Sequence, residues 1–215
     1  MTTLRALRNS LTRFGKTAAV LAGLTVALSL AACSKTEPPP KLNGVDISTS
    51  GFGKDWSMPN SEGGTSTLAD FKGKVTYVFF GFAQCPDVCP TTMLEMAEVK
   101  SQLGEQADQF QVLFVTIDPE RDTPEVMRAY LDSFDPKAIA LIGNAEQTKA
   151  MAQNFRVTYE KVPGPSPEVY TMNHTAGGFV YDPQTKMRLY LPYGTDAQAI
   201  AADVRALLKE AASAS

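Results

Sequence analysis

Residues 75–80 and 112–117 are continuous runs of β-branched and aromatic side chains, with Leu113 the one exception. A strand covered on both faces requires such a run, so both are predicted in the middle of a sheet. Between them Met93, Met96, Ala97, Val99 and Leu103 recur mainly at spacings of three and four, with Lys100 the polar member of that face and Gly104 a stop. The segment is therefore a βαβ unit. Thr123 and Pro124 read as N-cap and first helical position of a second helix, with Val126, Met127, Tyr130, Leu131 and Phe134 on its apolar face. Residues 138–142 are predicted to form a third strand and residues 145–154 a short helix. Residues 177–181 and 188–191 flank the turn-forming Asp182, Pro183, Gln184 and Thr185, which predicts an antiparallel hairpin. A last helix carries the cleanest periodicity of all, in Ala197, Ile200, Ala201, Val204, Leu207 and Leu208. Helices alternating with strands, closed by a hairpin and a helix, define an α/β domain of three layers.

The N-terminus follows a different pattern. Residues 1–16 carry Arg5, Arg8, Arg13 and Lys16 without an acid, and residues 17–32 are uncharged and mostly apolar. This is the pattern of a secretory signal. A transmembrane anchor needs about 20 apolar residues, and this run is shorter. Its end, Leu30, Ala31, Ala32 and Cys33, resembles a bacterial lipobox, in which Cys33 becomes the lipidated first residue of the mature protein; plain cleavage and an uncleaved anchor are the alternatives. Residues 33–50, with Pro38, Pro39 and Pro40, read as a tether holding a domain of residues 51–215 off the membrane. The expected location is the periplasmic side of a bacterial membrane, where disulfides persist.

Composition narrows the chemistry. Twenty basic against 23 acidic residues give a net charge of −3, and losing the four cations of residues 1–32 takes it to −7. That balance, with no basic patch, argues against a nucleic-acid partner. A single histidine excludes metal centres built on two or three imidazoles, and three cysteines exclude a Cys₄ knot.

Two of those cysteines, Cys85 and Cys89, are four apart where the first central strand gives way to its helix, with Pro86 and Pro90 beside them. Unpaired amides and the positive end of the helix dipole favour thiolate there, the form that attacks disulfides and binds soft metals. Asp87 between them is placed to cap the helix, while its charge opposes thiolate formation. A structural disulfide is the plainer alternative. His174, just before the predicted hairpin, is by default a surface or satisfied core residue; two thiolates and one imidazole, however, suit Cu(I), or Cu(II) with a further weak ligand. Asp118 follows the second central strand and is expected at the same end of the sheet as the cysteines, and both it and Asp87 are expected as metal-site neighbours or partner contacts. Residues 122–124 are expected to serve as the turn into the helix.

Residues 79–92, residues 116–127 and the segment Tyr170 to Thr175 around His174 closely resemble the Sco/SenC family of thioredoxin-like copper-binding proteins, implicated in assembling the dinuclear copper site of cytochrome c oxidase. The resemblance runs from about Gly51 to the final helix. It implies a thioredoxin-like three-layer fold with a mixed central sheet, copper as the metal, and Cys85, Cys89 and His174 as its ligands, with Asp118 in the family's acidic segment. The family more often has Asp-His-Ser where this chain has Asn173, His174 and Thr175. Thioredoxins carry two residues between their cysteines, not three, and the peroxidatic turn of peroxiredoxins is absent.

The resemblance implies a metallochaperone that delivers copper to the oxidase copper-site subunit, with other periplasmic copper chaperones or thioredoxin-like reductants as further partners. It also permits, as an alternative, a thiol-disulfide role in which Cys85 and Cys89 cycle as a redox-active disulfide that reduces the acceptor's cysteines; a redox or copper sensor is a third, plainer possibility.

Overall fold

The computed structural model describes residues 41–166 and 169–213. The predicted signal, Cys33 and the first part of the tether lie outside the described residues. Ten strands are present among those described: β1 (Val45–Asp46), β2 (Ser57–Pro59), β3 (Thr65–Thr67), β4 (Val75–Gly81), β5 (Phe110–Thr116), β6 (Ile139–Leu141), β7 (Tyr159–Ser166), β8 (Val169–His174), β9 (Gly177–Tyr181) and β10 (Met187–Pro192). The helices are α1 (Val88–Leu103), α2 (Pro124–Asp132), α3 (Ala145–Asn154) and α4 (Ala197–Ser213). None of the described helices is long and apolar enough to cross a membrane.

Six strands form one mixed sheet in the order β1-β10-β9-β4-β5-β6. β4, β5 and β6 are parallel to one another, and β9 runs antiparallel to β4. Every residue of β4 and β5 is buried, as the two unbroken apolar runs require. Alternation along β4 sends Tyr77 and Phe79 to one face and Phe80 to the other. On the first face Phe79 meets Phe114, which meets Tyr130 of α2, and α1 and α4 pack together there. Across the sheet Phe80 meets Phe155, the residue that ends α3. The result is a thioredoxin-like three-layer α/β fold with a mixed central sheet.

Local signals account for the helix boundaries. Thr123 accepts a hydrogen bond from the Val126 amide, and Gly104 ends α1 at φ +57°, a conformation costly for other residues. Met127 and Leu131 face the core from α2 while Val126 is exposed. The face through Met127, Tyr130, Leu131 and Phe134 leaves Val126, about 100° round the helix, on its solvent side.

The fold begins before residue 51. Val45 pairs with Tyr190, and the Ile47 amide donates to the Arg188 carbonyl at 2.9 Å. Asp203 of α4, almost fully buried, accepts from the amides of Asn43 and Gly44 at 2.8 and 2.9 Å and from the Asn43 side chain at 2.8 Å. Residues 43–48, which the sequence reading places in the tether, are thus the edge of the sheet. The hairpins β2–β3 and β7–β8 were likewise not expected; each is a separate two-stranded sheet.

Candidate metal centre

β4 and β5 end side by side, Gly81 opposite Thr116, and their following loops share that end of the sheet. Gly81 is there for space: a Cβ on it would lie 2.9 Å from the Cys89 sulfur and 2.7 Å from the Phe114 ring. The loop then turns on a bond from the Cys85 amide to the Phe82 carbonyl at 3.2 Å. Pro90 is the third residue of α1, where no intrahelical donor is lost. Asp87 sits at the N-cap position but makes no side-chain cap; it is exposed, and its carboxylate accepts from the Thr91 hydroxyl at 3.4 Å. The capping role expected for it is not met, because its backbone at φ −146°, ψ −65° departs from the β-region conformation of a capping residue.

Cys85 is partly exposed and Cys89 fully buried, both as free thiols. The Cys89 amide points at the Cys85 sulfur, 3.4 Å away. His174 ends β8, and its Nε2 lies 3.8 Å from the Cys89 sulfur. The three ligand atoms lie within 4.8 Å of one another, the one such group of His, Cys, Asp and Glu among the described residues. The other imidazole nitrogen, Nδ1, is 3.0 Å from the Thr175 carbonyl. A carbonyl only accepts, so Nδ1 carries the proton and Nε2 offers its lone pair to the sulfurs. Phe79 and Phe82 hold the ring edge-on, each with centroids 6.1 Å away.

The thiols are electrostatically unequal. The Cys85 thiol is lowered to about 4, chiefly because the Cys89 thiol donates to it, against the cost of burial and with help from the amides of Cys89 and Asp87. Cys89 is pushed up by that same bond and by burial. The pair therefore shares a proton, with the negative charge favoured on Cys85, the more exposed sulfur.

Asp118 is placed beside this centre and outside its ligand group. Its carboxylate, 3% exposed, accepts from the Tyr170 hydroxyl at 2.7 Å and pairs with Arg121 at 2.5 Å. Asp122, expected in a solvated turn, is buried instead; it accepts from the Ala83 amide and, at 2.6 Å, from the Thr116 hydroxyl. Burial raises its pKa, and these two bonds oppose the rise. Sequence reasoning missed Arg121, Tyr170 and Gln84 as parts of this assembly; Tyr170 alone carried a signal, on the same face of β8 as His174. Asn173 turns to the exposed face of β8 and pairs in register with Glu160.

The family model described as SCO1/SenC matches residues 45–209. This chain belongs to the SCO1/SenC family. Among relatives, an SCO2-like protein of Rickettsia felis is 35% identical over 136 residues, 63% of this chain and 66% of that one. The match thus spans just under two thirds of that relative. Among solved structures, ScoI of Bradyrhizobium japonicum with copper bound is 36% identical at a TM-score of 0.66, covering 72% of this chain and 98% of the other. ScoI of Arabidopsis thaliana with copper bound is 27% identical at a TM-score of 0.68, covering 74% and 99%. The start of the SCO1/SenC match at residue 45 coincides with β1.

Proposed function

We propose that this protein is a copper metallochaperone that binds copper through Cys85, Cys89 and His174 and passes it to the dinuclear copper site of cytochrome c oxidase. The observation that carries the reading is the convergence of two sulfurs and a lone-pair nitrogen within 4.8 Å. Bonds of about 2.3 Å to sulfur and 2.0 Å to nitrogen separate the ligands of a trigonal ion by about 4 Å. The group needs less than about 1 Å of closure to reach that spacing. Thiolates select Cu(I) and imidazole suits copper in either state. The copper-bound ScoI relatives support the choice of metal.

Transfer is ligand exchange. An acceptor thiolate reaches the ion from the side of the partly exposed Cys85, and the donor ligands leave one at a time. Export behind residues 1–32 and lipid attachment at Cys33 hold the domain on the periplasmic side of the membrane beside the oxidase; both belong to the same proposal.

A second reading is favoured by the inequality of the thiols. The Cys85 thiolate attacks one sulfur of an acceptor disulfide, breaking it and forming a mixed disulfide. Cys89, once deprotonated, displaces the acceptor's remaining thiolate. The Cys89 proton passes to the acceptor thiolate released first, so the acceptor leaves with one thiol and one thiolate and this protein with a Cys85–Cys89 disulfide.

The test titrates reduced wild type and His174→Ala against a competing Cu(I) chelator and against a disulfide substrate. Wild type is expected to retain one copper; failure to do so overturns the chaperone. Equal affinity in His174→Ala removes the histidine from the site. Disulfide reduction that survives in His174→Ala while copper affinity falls separates the two activities.

A further inference from the structure

The strand that ends in His174 belongs to a hairpin with no backbone pairing to the central sheet. The main chain anchors the base of the hairpin, since only Thr175 and Ala176 separate His174 from β9 and the Tyr190 hydroxyl donates to the Ala176 carbonyl at 2.9 Å; side chains set how closely the rest of the hairpin lies over the cysteine loop. At the hairpin's base Thr158 and Thr175 bond one another, which shapes the hairpin without attaching it. Lys161 pairs with Glu120 at 2.8 Å, but both groups are exposed and the bond is screened. His174 packs on Phe79 and Phe82, and Met172 on the core.

One polar assembly remains, centred on the buried Asp118. Asp118 accepts from Tyr170 of β8 with one carboxylate oxygen and from Arg121 with the other. The Arg121 guanidinium lies 3.5 Å over the Tyr170 ring, donates to the Tyr170 carbonyl at 3.0 Å, and with the same nitrogen reaches the Gln84 side chain at 3.0 Å. Gln84 immediately precedes Cys85. A single guanidinium thus touches both segments that bring ligands to the site, the cysteine loop and the strand ending in His174. Its remaining nitrogen, Nη2, is buried without a hydrogen-bond partner. No other use for this assembly is visible in the exchange chemistry.

We propose that Asp118, Arg121 and Tyr170 form a latch that sets the distance of His174 from the two thiols, and so decides whether the metal has three ligands or two. This rests on the copper reading of the site. Closed, the latch adds the imidazole to the sulfur pair; open, it leaves a dithiolate that an incoming thiolate attacks more readily. The three are positioning residues, acting through His174 on a metal they do not touch.

The chain contains one histidine, so its ring protons give unambiguous NMR signals in the full-length, metal-free protein. Flanked by Phe79 and Phe82, those protons are expected to be displaced by ring currents in wild type and to move toward free-imidazole values in Arg121→Ala and Asp118→Asn. Tyr170→Phe, which removes one oxygen and keeps the ring, moves them less in the same direction and serves if the other variants fail to fold. Methyl signals of β4 and β5 report whether the core stays intact. Unmoved histidine signals in folded variants overturn the latch, whatever the protein does with copper.

The metal arm uses a Cu(I) chelator. Arg121→Ala is expected to lower affinity about tenfold in wild type and to have no further effect in His174→Ala, because the latch acts through that ring. An equal loss in both backgrounds overturns the proposal in favour of a general structural effect. Wild type that retains no copper sinks the chaperone reading and leaves the NMR result to decide the latch.

Discussion

The Cys89 sulfur sits 3.8 Å from Nε2 of His174, although 85 residues separate them. One is fixed by the first turn of α1, and the other is carried in on a hairpin. Because the Thr175 carbonyl holds the proton on Nδ1, the nitrogen facing the sulfur is the one able to bind a metal.

His174→Ala is expected to weaken Cu(I) binding by roughly a hundredfold, about 2.8 kcal/mol, while the two sulfurs still hold one ion. Chelator competition measures this, and a Cu(II) spectrum without imidazole-nitrogen coupling should accompany it.

Alkylation separates the thiols. Cys85, lowered to about 4, is thiolate at neutral pH, so its reaction with iodoacetamide should be nearly constant between pH 6 and 8 and decline only as the pH approaches 4. Cys89, buried and with its proton held, should react far more slowly. Peptide mass spectrometry reads both; a Cys85 rate climbing tenfold per pH unit would contradict the assignment.

Gly81→Ala and Gly178→Ala form a matched pair. The first drives a methyl against Cys89 and Phe114, the second against the Tyr77 ring, where a Cβ would lie 2.1 Å from the nearest carbon. Both should lose about 1–3 kcal/mol of stability through overpacking. Only Gly81→Ala should also weaken copper binding beyond its effect on folding, as read by chelator competition at a temperature where both variants are folded.

Asp203→Ala removes three hydrogen bonds to a buried carboxylate at the N-terminal edge. The expected cost is about 2 kcal/mol, which lowers Tm by roughly 4–8 °C in a domain of this size. Limited proteolysis should find residues 41–48 cleaved first. Copper affinity should not change, since Asp203 lies outside the ligand group.

Much of this was legible in the residues. Strands buried on both faces write themselves as apolar runs, which is why β4 and β5 stand out, and α4 shows its five core residues at helical spacing. The β7–β8 hairpin was not legible: Pro163, Gly164 and Pro165 read as strand breakers, yet they lie in β7 around a register shift, where an irregular ladder tolerates them. β1, β2 and β3 are only two or three residues long, too short for any period to show. The cysteines and the histidine announced themselves by chemistry. The assembly around Asp118 did not, because a bond between residues 52 apart, such as Tyr170 to Asp118, leaves no trace in local pattern.

The register of β1 bears on how the protein should be handled. Val45 lies opposite Tyr190, near the end of β10 whose Pro192 faces Gly177, and Gly178 lies opposite Phe79 near the end of β4. Asn43 and Gly44, held by Asp203 just before β1, therefore lie toward the thiol end of the sheet. At the far end of α4, Glu210 pairs with Arg188 at the start of β10, so Ser213 lies at the other pole. A fusion partner joined directly at Lys41 would sit at the cysteine end, whereas one placed after α4 leaves the cysteines facing an incoming acceptor.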